Sequence, residues 1–258
     1  MDFIETDYKK RTSAWSMSAL QSHNHYELYF LLEGKRRFFL KDRIFEITAP
    51  TVCVVPPFCM HKTEGGAHRK ININFSPDII NNEERNMLDE LGKTVVFTPD
   101  ASKSELLLKL LDTLTDKEAE SAGRAVLEPF LHVILYLFKH NKLLPYEEVK
   151  SESKDDLIMK IVSYIHETFR EEFTIKDLCE RFYVSKNTLC SRFKRVMGCS
   201  VMEYRQLVRI NRAKVLLVST RRDMKSIAEE CGFSSANYFS LIFKEEVGIS
   251  PLNYRKTK

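Results

Sequence analysis

Asn187 and Asn237 stand 50 positions apart, each inside the same pattern of neighbours. An asparagine amide donates to and accepts from one adenine edge at once, so such a pair has the chemistry of a base reader. Lys186, Asn187, Cys190, Ser191 and Lys194 fall at i, i+1, i+4, i+5 and i+8, and Ala236, Asn237, Ser240, Leu241 and Lys244 repeat that spacing. Each set therefore shares one helical face. Serine reaches either kind of base edge, alanine and leucine meet a thymine methyl, and the lysines Lys194 and Lys244 near the helix ends suit phosphate. A second group, His23, His25, Glu27 and His61, has the residue types to ligate a metal or to hold a polar small molecule.

The elements that must carry the first group are legible as an internal repeat. Residues 186–205 and 236–255 align with seven identities in 20, among them Phe193/Phe243, Gly198/Gly248, Ser200/Ser250 and Tyr204/Tyr254. Upstream, Ile175, Leu178, Cys179 and Phe182 match Met224, Ile227, Ala228 and Cys231, all at the spacing of one buried helical face. Each copy predicts two short helices, with Thr174 and Asp223 capping the first, Ser185 and Ser235 the second, and Gly198 and Gly248 ending it. Leu189, Phe193 and Met197, matched by Phe239, Phe243 and Val247, form the buried stripe. Two short helices joined by a tight turn describe a helix-turn-helix, whose second helix enters the DNA major groove. Residues 201–219 between the copies contain neither Gly nor Pro and predict one connecting helix that buries Leu207, Ile210, Ala213 and Leu217. Its other side carries Arg205, Arg209 and Arg212, expected to bind phosphate. Nineteen residues span about 28 Å, close to the roughly 34 Å between successive major grooves on one face of DNA.

Charge agrees with this assignment. The net +4 of the 258 residues hides an asymmetry: residues 151–258 hold 20 Lys/Arg against 14 Asp/Glu, and residues 181–225 hold 12 against two. Phosphate is the commonest partner of such a surface. With 43% hydrophobic residues and only eight glycines and eight prolines, the chain is neither disordered nor of low complexity. The first residues lack the apolar core of a signal peptide and the longest apolar run, around 131–138, is too short for a bilayer, so no membrane partner and a cytoplasmic location are expected. Six cysteines without a CxxC pair point to free thiols rather than zinc ribbons or disulfides.

The last hundred residues resemble the DNA-binding domain of the AraC/XylS family of transcription regulators. The resemblance is carried by Ile227-Ala228-Glu229-Glu230-Cys231-Gly232-Phe233-Ser234-Ser235, Tyr238-Phe239-Ser240, Phe243-Lys244, and Gly248-Ile249-Ser250-Pro251 before Tyr254-Arg255. It covers about 155–256 and implies two helix-turn-helix motifs on adjacent major grooves of promoter DNA, with RNA polymerase as a further partner. The chain departs from many relatives at Cys190 and Ser191, where longer polar or basic side chains are common.

The first half predicts short strands at 28–32, 36–40, 44–47, 51–55 and 70–75, as in a small barrel. With His23-Asn24-His25-Tyr26-Glu27-Leu28, Gly34 and Pro56-Pro57 before His61, it resembles the cupin-like ligand-binding domain of AraC-family regulators. The fold expected is thus α+β in two domains: a cupin-like β-barrel (about 10–98) with a helical pair (about 101–141) in 1–145, a linker at 146–154, and an all-α domain at 155–258. In metal cupins a glutamate follows the second histidine by four or five residues, whereas Glu27 follows His25 by two, so neither a metal nor another cofactor is expected. His25, Glu27, Tyr29, Arg37 and His61 are instead the candidate pocket for an effector. Leu106, Leu107, Leu110, Leu111 and Leu114 predict one amphipathic helix. The next is apolar on two faces, and Val126, Phe130, Val133 and Leu137 are the expected seam of a homodimer, which the resemblance also implies. Pro129 is expected in the first turn or at a kink.

Together these features point to a sequence-specific DNA-binding regulator responsive to an effector, and not to an enzyme. Two alternatives stay open: a regulator controlled by a protein partner or by oxidation of Cys53 and Cys59, and a metal-dependent cupin enzyme. RNA is disfavoured because its deep major groove excludes a recognition helix.

Overall fold

An antiparallel eight-stranded sheet whose central strands are buried on both faces forms in the computed structural model, which describes residues 2–17, 20–41, 43–100, 104–115, 123–140, 143–146 and 156–256. The strands are β1 (Ile4–Arg11), β2 (Trp15–Ser16), β3 (Tyr26–Leu40), β4 (Arg43–Thr48), β5 (Thr51–Val55), β6 (His61–Phe75), β7 (Val96–Pro99) and β8 (Leu143–Pro145). Their order is β1-β6-β3-β5-β7-β8, with β2 added to β6 and β4 to β3. The strands expected at 28–32 and 36–40 are one 15-residue β3, and 70–75 is the end of an equally long β6.

The β3–β6 register shifts twice, between Leu31 and Glu33 and between Gly34 and Arg36. The first puts the extra residue, Leu32, on β3 and reverses which β3 side chains face inward, whereas the second puts the extra residue on β6. Tyr29 and Leu31 before the bulges therefore share one core with Phe38 and Leu40 after them, closed by Phe45, Ile47, Cys53 and Val55. The opposite face, with Leu28, Phe30, Val54, Ile71, Ile73 and Phe75, packs on Leu88, Leu107, Leu111, Leu131, Ile134 and Phe138. Those residues come from α1 (Asn82–Thr94), α2 (Ser104–Thr113) and α3 (Arg124–His140).

Helix α3 corrects the expected dimer seam. Val126 and Val133 are exposed, but Leu137 is buried and Phe130 packs against the sheet-side core. At about 100° per residue, Phe130 and Leu137 lie roughly 40° and 60° from Ile134 and Val133 roughly 100° away on the same side, toward Pro129 and the 61% exposed Tyr136. Pro129 sits inside the helix rather than in its first turn.

The chain folds as two compact units, one within residues 1–150 and the other built mainly on Ser151–Lys258. Of the expected linker at 146–154, only Tyr146 lies among the described residues; it donates its hydroxyl to the Glu46 carbonyl at 2.7 Å. The second unit is helical: α4 (Asp156–Thr168), α5 (Ile175–Phe182), α6 (Lys186–Met197), α7 (Val201–Ser219), α8 (Met224–Glu230), α9 (Ala236–Val247) and α10 (Pro251–Lys256). Thr174, Ser185, Asp223 and Ser235 each accept a backbone N–H at their helix starts. Gly198 and Gly248 end α6 and α9 in left-handed conformations. Leu207 is half-buried on α7, while Ile210, Ala213 and Leu217 are buried as the pattern predicts.

Candidate functional site

In each helix-turn-helix the second helix turns its apolar stripe inward and leaves the opposite face open. Leu189, Phe193 and Met197 are buried on α6, and Lys186, Asn187, Cys190, Ser191 and Lys194 are all exposed. On α9, Phe239 and Phe243 are buried, Asn237, Leu241 and Lys244 are exposed, and Ala236 and Ser240 are half-buried. Ser191 and Ser240 meanwhile donate their hydroxyls to Thr188 and Ala236 carbonyls in the preceding turn, at 3.3 and 2.8 Å. The turns differ in their left-handed residue. Gly232 at φ 77° serves the second copy, and Tyr183 at φ 51° the first, its side chain 96% exposed.

The arginines of α7 are not the solvated stripe expected. Arg205 and Arg209 are buried. Arg209 Nε donates to the Phe169 carbonyl at 2.7 Å, Arg205 Nε to the same oxygen at 3.3 Å, and both guanidinium groups reach Glu172 Oε1, at 3.0 Å from Arg205 and 3.2 Å from Arg209. Carbonyls just past the end of α4 lack intrahelical partners, and the two arginines supply them while lying over the Phe173 and Phe233 rings. Arg212 is half-buried and bonded to Glu230 at 2.7 Å, an acceptor it shares with Arg222. Arg205 and Arg209 therefore hold the helical unit together, and Lys194 and Lys244 are left as the phosphate candidates of the original five.

In the first unit the inward face of the sheet is polar at one end. Glu27, at the start of β3, is buried and accepts from Asn72 Nδ2 at 2.7 Å, while His23 Nε2 and His61 Nε2 lie 3.1 and 3.4 Å from its other oxygen. Burial alone would raise the Glu27 carboxyl, but the two histidines hold it well below the usual carboxylate range, and Glu27 in turn raises His61 against the effect of burial. The ligand atoms of His23, Glu27 and His61 lie within 4.8 Å of one another, the one such group among the described residues that could hold a metal ion. Nearby on that face, Arg36 is fully buried, donating to Thr63 Oγ1 at 3.2 Å and to the Trp15 carbonyl at 2.9 Å. Arg36 Nη2 and Asn72 Oδ1 have no hydrogen-bond partner among the described residues. The Tyr29 hydroxyl lies beside Arg36 and Thr63 without a bond of ordinary geometry, and burial raises its phenol.

Comparison with known families matches both units. Residues 8–134 fit the AraC-like ligand binding domain, and residues 178–257 fit a helix-turn-helix domain. The chain belongs to the AraC family of transcription regulators. Among the similar regulators are YfiF, an uncharacterized HTH-type transcriptional regulator of Bacillus subtilis (strain 168), 25% identical across 92% of this chain and 78% of that one, and the HTH-type transcriptional activator RhaR of Mannheimia succiniciproducens, 24% identical across 92% and 86%. Solved structures include the C-terminal domain of AraT, a response regulator from Geobacillus stearothermophilus, 31% identical over 40% of this chain and 85% of that one with a TM-score of 0.38. Another is the DNA-binding domain of the transcriptional factor AdpA in complex with a target DNA, 28% identical over 39% and 90% with a TM-score of 0.37. This AraC-family protein is a DNA-binding transcription regulator with an N-terminal ligand-binding domain, and that family is not a class of enzymes.

In this regulator, Glu27 and His61 of the expected pocket meet, and Tyr29 shares their face. Two expected members do not join them. His25 precedes β3, so strand alternation does not govern it; its ring stacks on His23 at 3.8 Å and meets Phe3 edge-on. Arg37 faces outward beside Glu46 and Glu64, because the extra β3 residue between Leu31 and Glu33 reverses the parity and turns Arg36 inward instead. Residue spacing gives no sign of Arg36 or Asn72 as pocket residues, and Gly34 is the only local mark of the bulge. Cys53 and Cys59 are buried free thiols, and burial together with Glu27 pushes Cys53 well up, which opposes the thiolate that oxidation needs.

Proposed function

We propose that the chain regulates promoters as a cytoplasmic homodimer whose helical units each engage two adjacent major grooves and whose sheet domain binds an effector. The observation that carries this reading is the paired exposed face on α6 and α9, joined by the 19-residue α7. Such a helix is about 28 Å long, within reach of two grooves on one side of the duplex. Lys186, Asn187, Cys190 and Ser191 read one groove and Ala236, Asn237, Ser240 and Leu241 the other, with Lys194 and Lys244 on phosphate. Glu27, Tyr29, Arg36, His61 and Asn72 line the effector site, supported by the buried polar atoms there that lack a partner. Val126, Val133 and Tyr136 on α3 form the dimer contact, and RNA polymerase is the protein partner through which transcription changes.

The test is to retain fragmented genomic DNA from the source organism on the purified protein at moderate salt and to sequence it. A bipartite element with half-sites about one helical turn apart is the expected result, and the neighbouring genes nominate the effector. Retention without sequence preference that vanishes steeply with salt would reduce the helical unit to a basic surface.

A further inference from the structure

His23 and His61 are held in an arrangement that hydrogen bonding alone leaves unexplained. His23 Nδ1 lies 2.9 Å from the His25 carbonyl, and His61 Nδ1 lies 3.1 Å from the Cys59 carbonyl. A carbonyl only accepts, so each Nδ1 carries the proton. Each Nε2 then either bears a second proton or presents a lone pair. Both Nε2 atoms converge on one oxygen, Glu27 Oε2, at 3.1 and 3.4 Å. Two lone pairs aimed at a buried carboxylate repel it, two imidazolium rings with centroids 5.0 Å apart repel each other, and one ring of each kind leaves a single lone pair facing the carboxylate oxygen. A single cation between the three atoms relieves each of these.

The surroundings are those of a metal site. Imidazoles that bind metal through Nε2 characteristically donate Nδ1–H to a backbone carbonyl, and ligating carboxylates are held by a further hydrogen bond. Asn72 Nδ2 does the latter, holding Glu27 Oε1 at 2.7 Å and leaving Oε2 to the histidines. Around a tetrahedral ion with bonds of about 2.0–2.2 Å, ligand atoms lie roughly 3.3–3.6 Å apart; Glu27 Oε2 lies 3.1 and 3.4 Å from the two Nε2 atoms, and all three atoms fall within 4.8 Å of one another. His25, stacked on His23, and Phe38, stacked near His61, fix the ring planes. Counted from His25, the spacing to Glu27 disfavours a metal; the converging set instead uses His23, four residues before Glu27.

We propose that His23, Glu27 and His61 bind one divalent transition ion of the zinc type inside the sensory domain, with the remaining coordination position open to water or to an oxygen of a bound small molecule. Two nitrogens and one carboxylate favour zinc, iron or nickel over calcium or magnesium. This site stands on the histidine geometry and is independent of the promoter reading.

The full-length protein, stripped with a chelator and dialysed against zinc chloride, should retain one ion per chain. His61→Ala and Glu27→Gln should each weaken zinc by more than about 100-fold, and Asn72→Ala by roughly 10- to 100-fold, as an outer-shell partner would. His140→Ala, at the end of α3, should retain the ion. The cobalt-loaded wild-type protein should show visible ligand-field bands without thiolate charge transfer, and that measurement decides even where a variant fails to fold. Folded wild-type protein that takes up no ion, ions unaffected by all three site variants, or a thiolate signature from the cysteines would each overturn the proposal.

Discussion

Arg209 shows how little a basic residue's type says about its task. On α7 its guanidinium is buried among the carbonyls that follow α4, with Glu172 as a shared acceptor. Glu172 is itself mostly exposed, and both arginines hold its carboxyl below the ordinary range. Removing the buried Arg209 strips hydrogen bonds from carbonyls just past α4 and leaves a cavity beside the Phe233 ring, which costs more than losing a solvated charge. Arg209→Ala should destabilise the helical unit by about 2–4 kcal/mol, lowering its thermal midpoint by at least about 10 °C, while the salt dependence of DNA binding by the folded protein stays unchanged. An unaltered melting curve with a shallower salt slope would return Arg209 to the phosphate contacts. Asn237 and Lys244 make the opposite pair, both exposed on α9. Asn237→Ala should lose about 1–3 kcal/mol of discrimination at one base pair, and Lys244→Ala should weaken all sequences alike and lower the salt slope by about one. Competition binding at several salt concentrations separates the two effects.

At the scale of elements, the two helix-turn-helix copies differ most in their turns. Gly232 packs so closely that a Cβ would meet the Arg170 Cα and carbonyl at 2.7 Å, on top of its positive φ. Gly248 has an equally positive φ of 85° but open space around it. Gly248→Ala should therefore cost about 1 kcal/mol, the price of left-handed backbone alone, and Gly232→Ala at least twice that, read by urea denaturation. Equal costs would mean that the approach of Arg170 is easily relieved. Helix α3 obeys the same logic of faces: Leu127, Leu131, Ile134 and Phe138 serve the core of the sheet domain, and only the turn-by-turn rotation past them brings Val133 and Tyr136 to the surface.

For the whole molecule, the exposed Val126, Val133 and Tyr136 are the apolar surface on which the proposed dimer rests. Val133→Glu should yield monomer in analytical ultracentrifugation with the fold intact, because Val133 lies on the exposed side of α3. Binding to a paired promoter site should then fall by at least tenfold, since two linked units gain from effective concentration and single ones do not. A dimer that survives this substitution places the contact elsewhere on the chain. Among the described residues no helix is long and apolar enough to cross a membrane.

The helical unit was written almost entirely in local sequence. Caps, turn glycines and apolar stripes act within four residues, so the repeat at 186–205 and 236–255 announced both motifs and their exposed faces. The sheet domain showed β3 to β6 in its local pattern, but not β1, β2, β7 or β8, and not its interior. Whether Arg36 or Arg37 points inward depends on a bulge created by pairing with β6, and His23 meets His61 only when residues 38 positions apart are brought together. The same limit hid the task of Arg205 and Arg209: helical spacing puts them on one face, but only tertiary packing supplies the carbonyls of Phe169 to Glu171 that bury it. Local chemistry determined which elements form, and long-range packing decided which of their polar side chains are enclosed, because burial and partners come from segments distant in the chain.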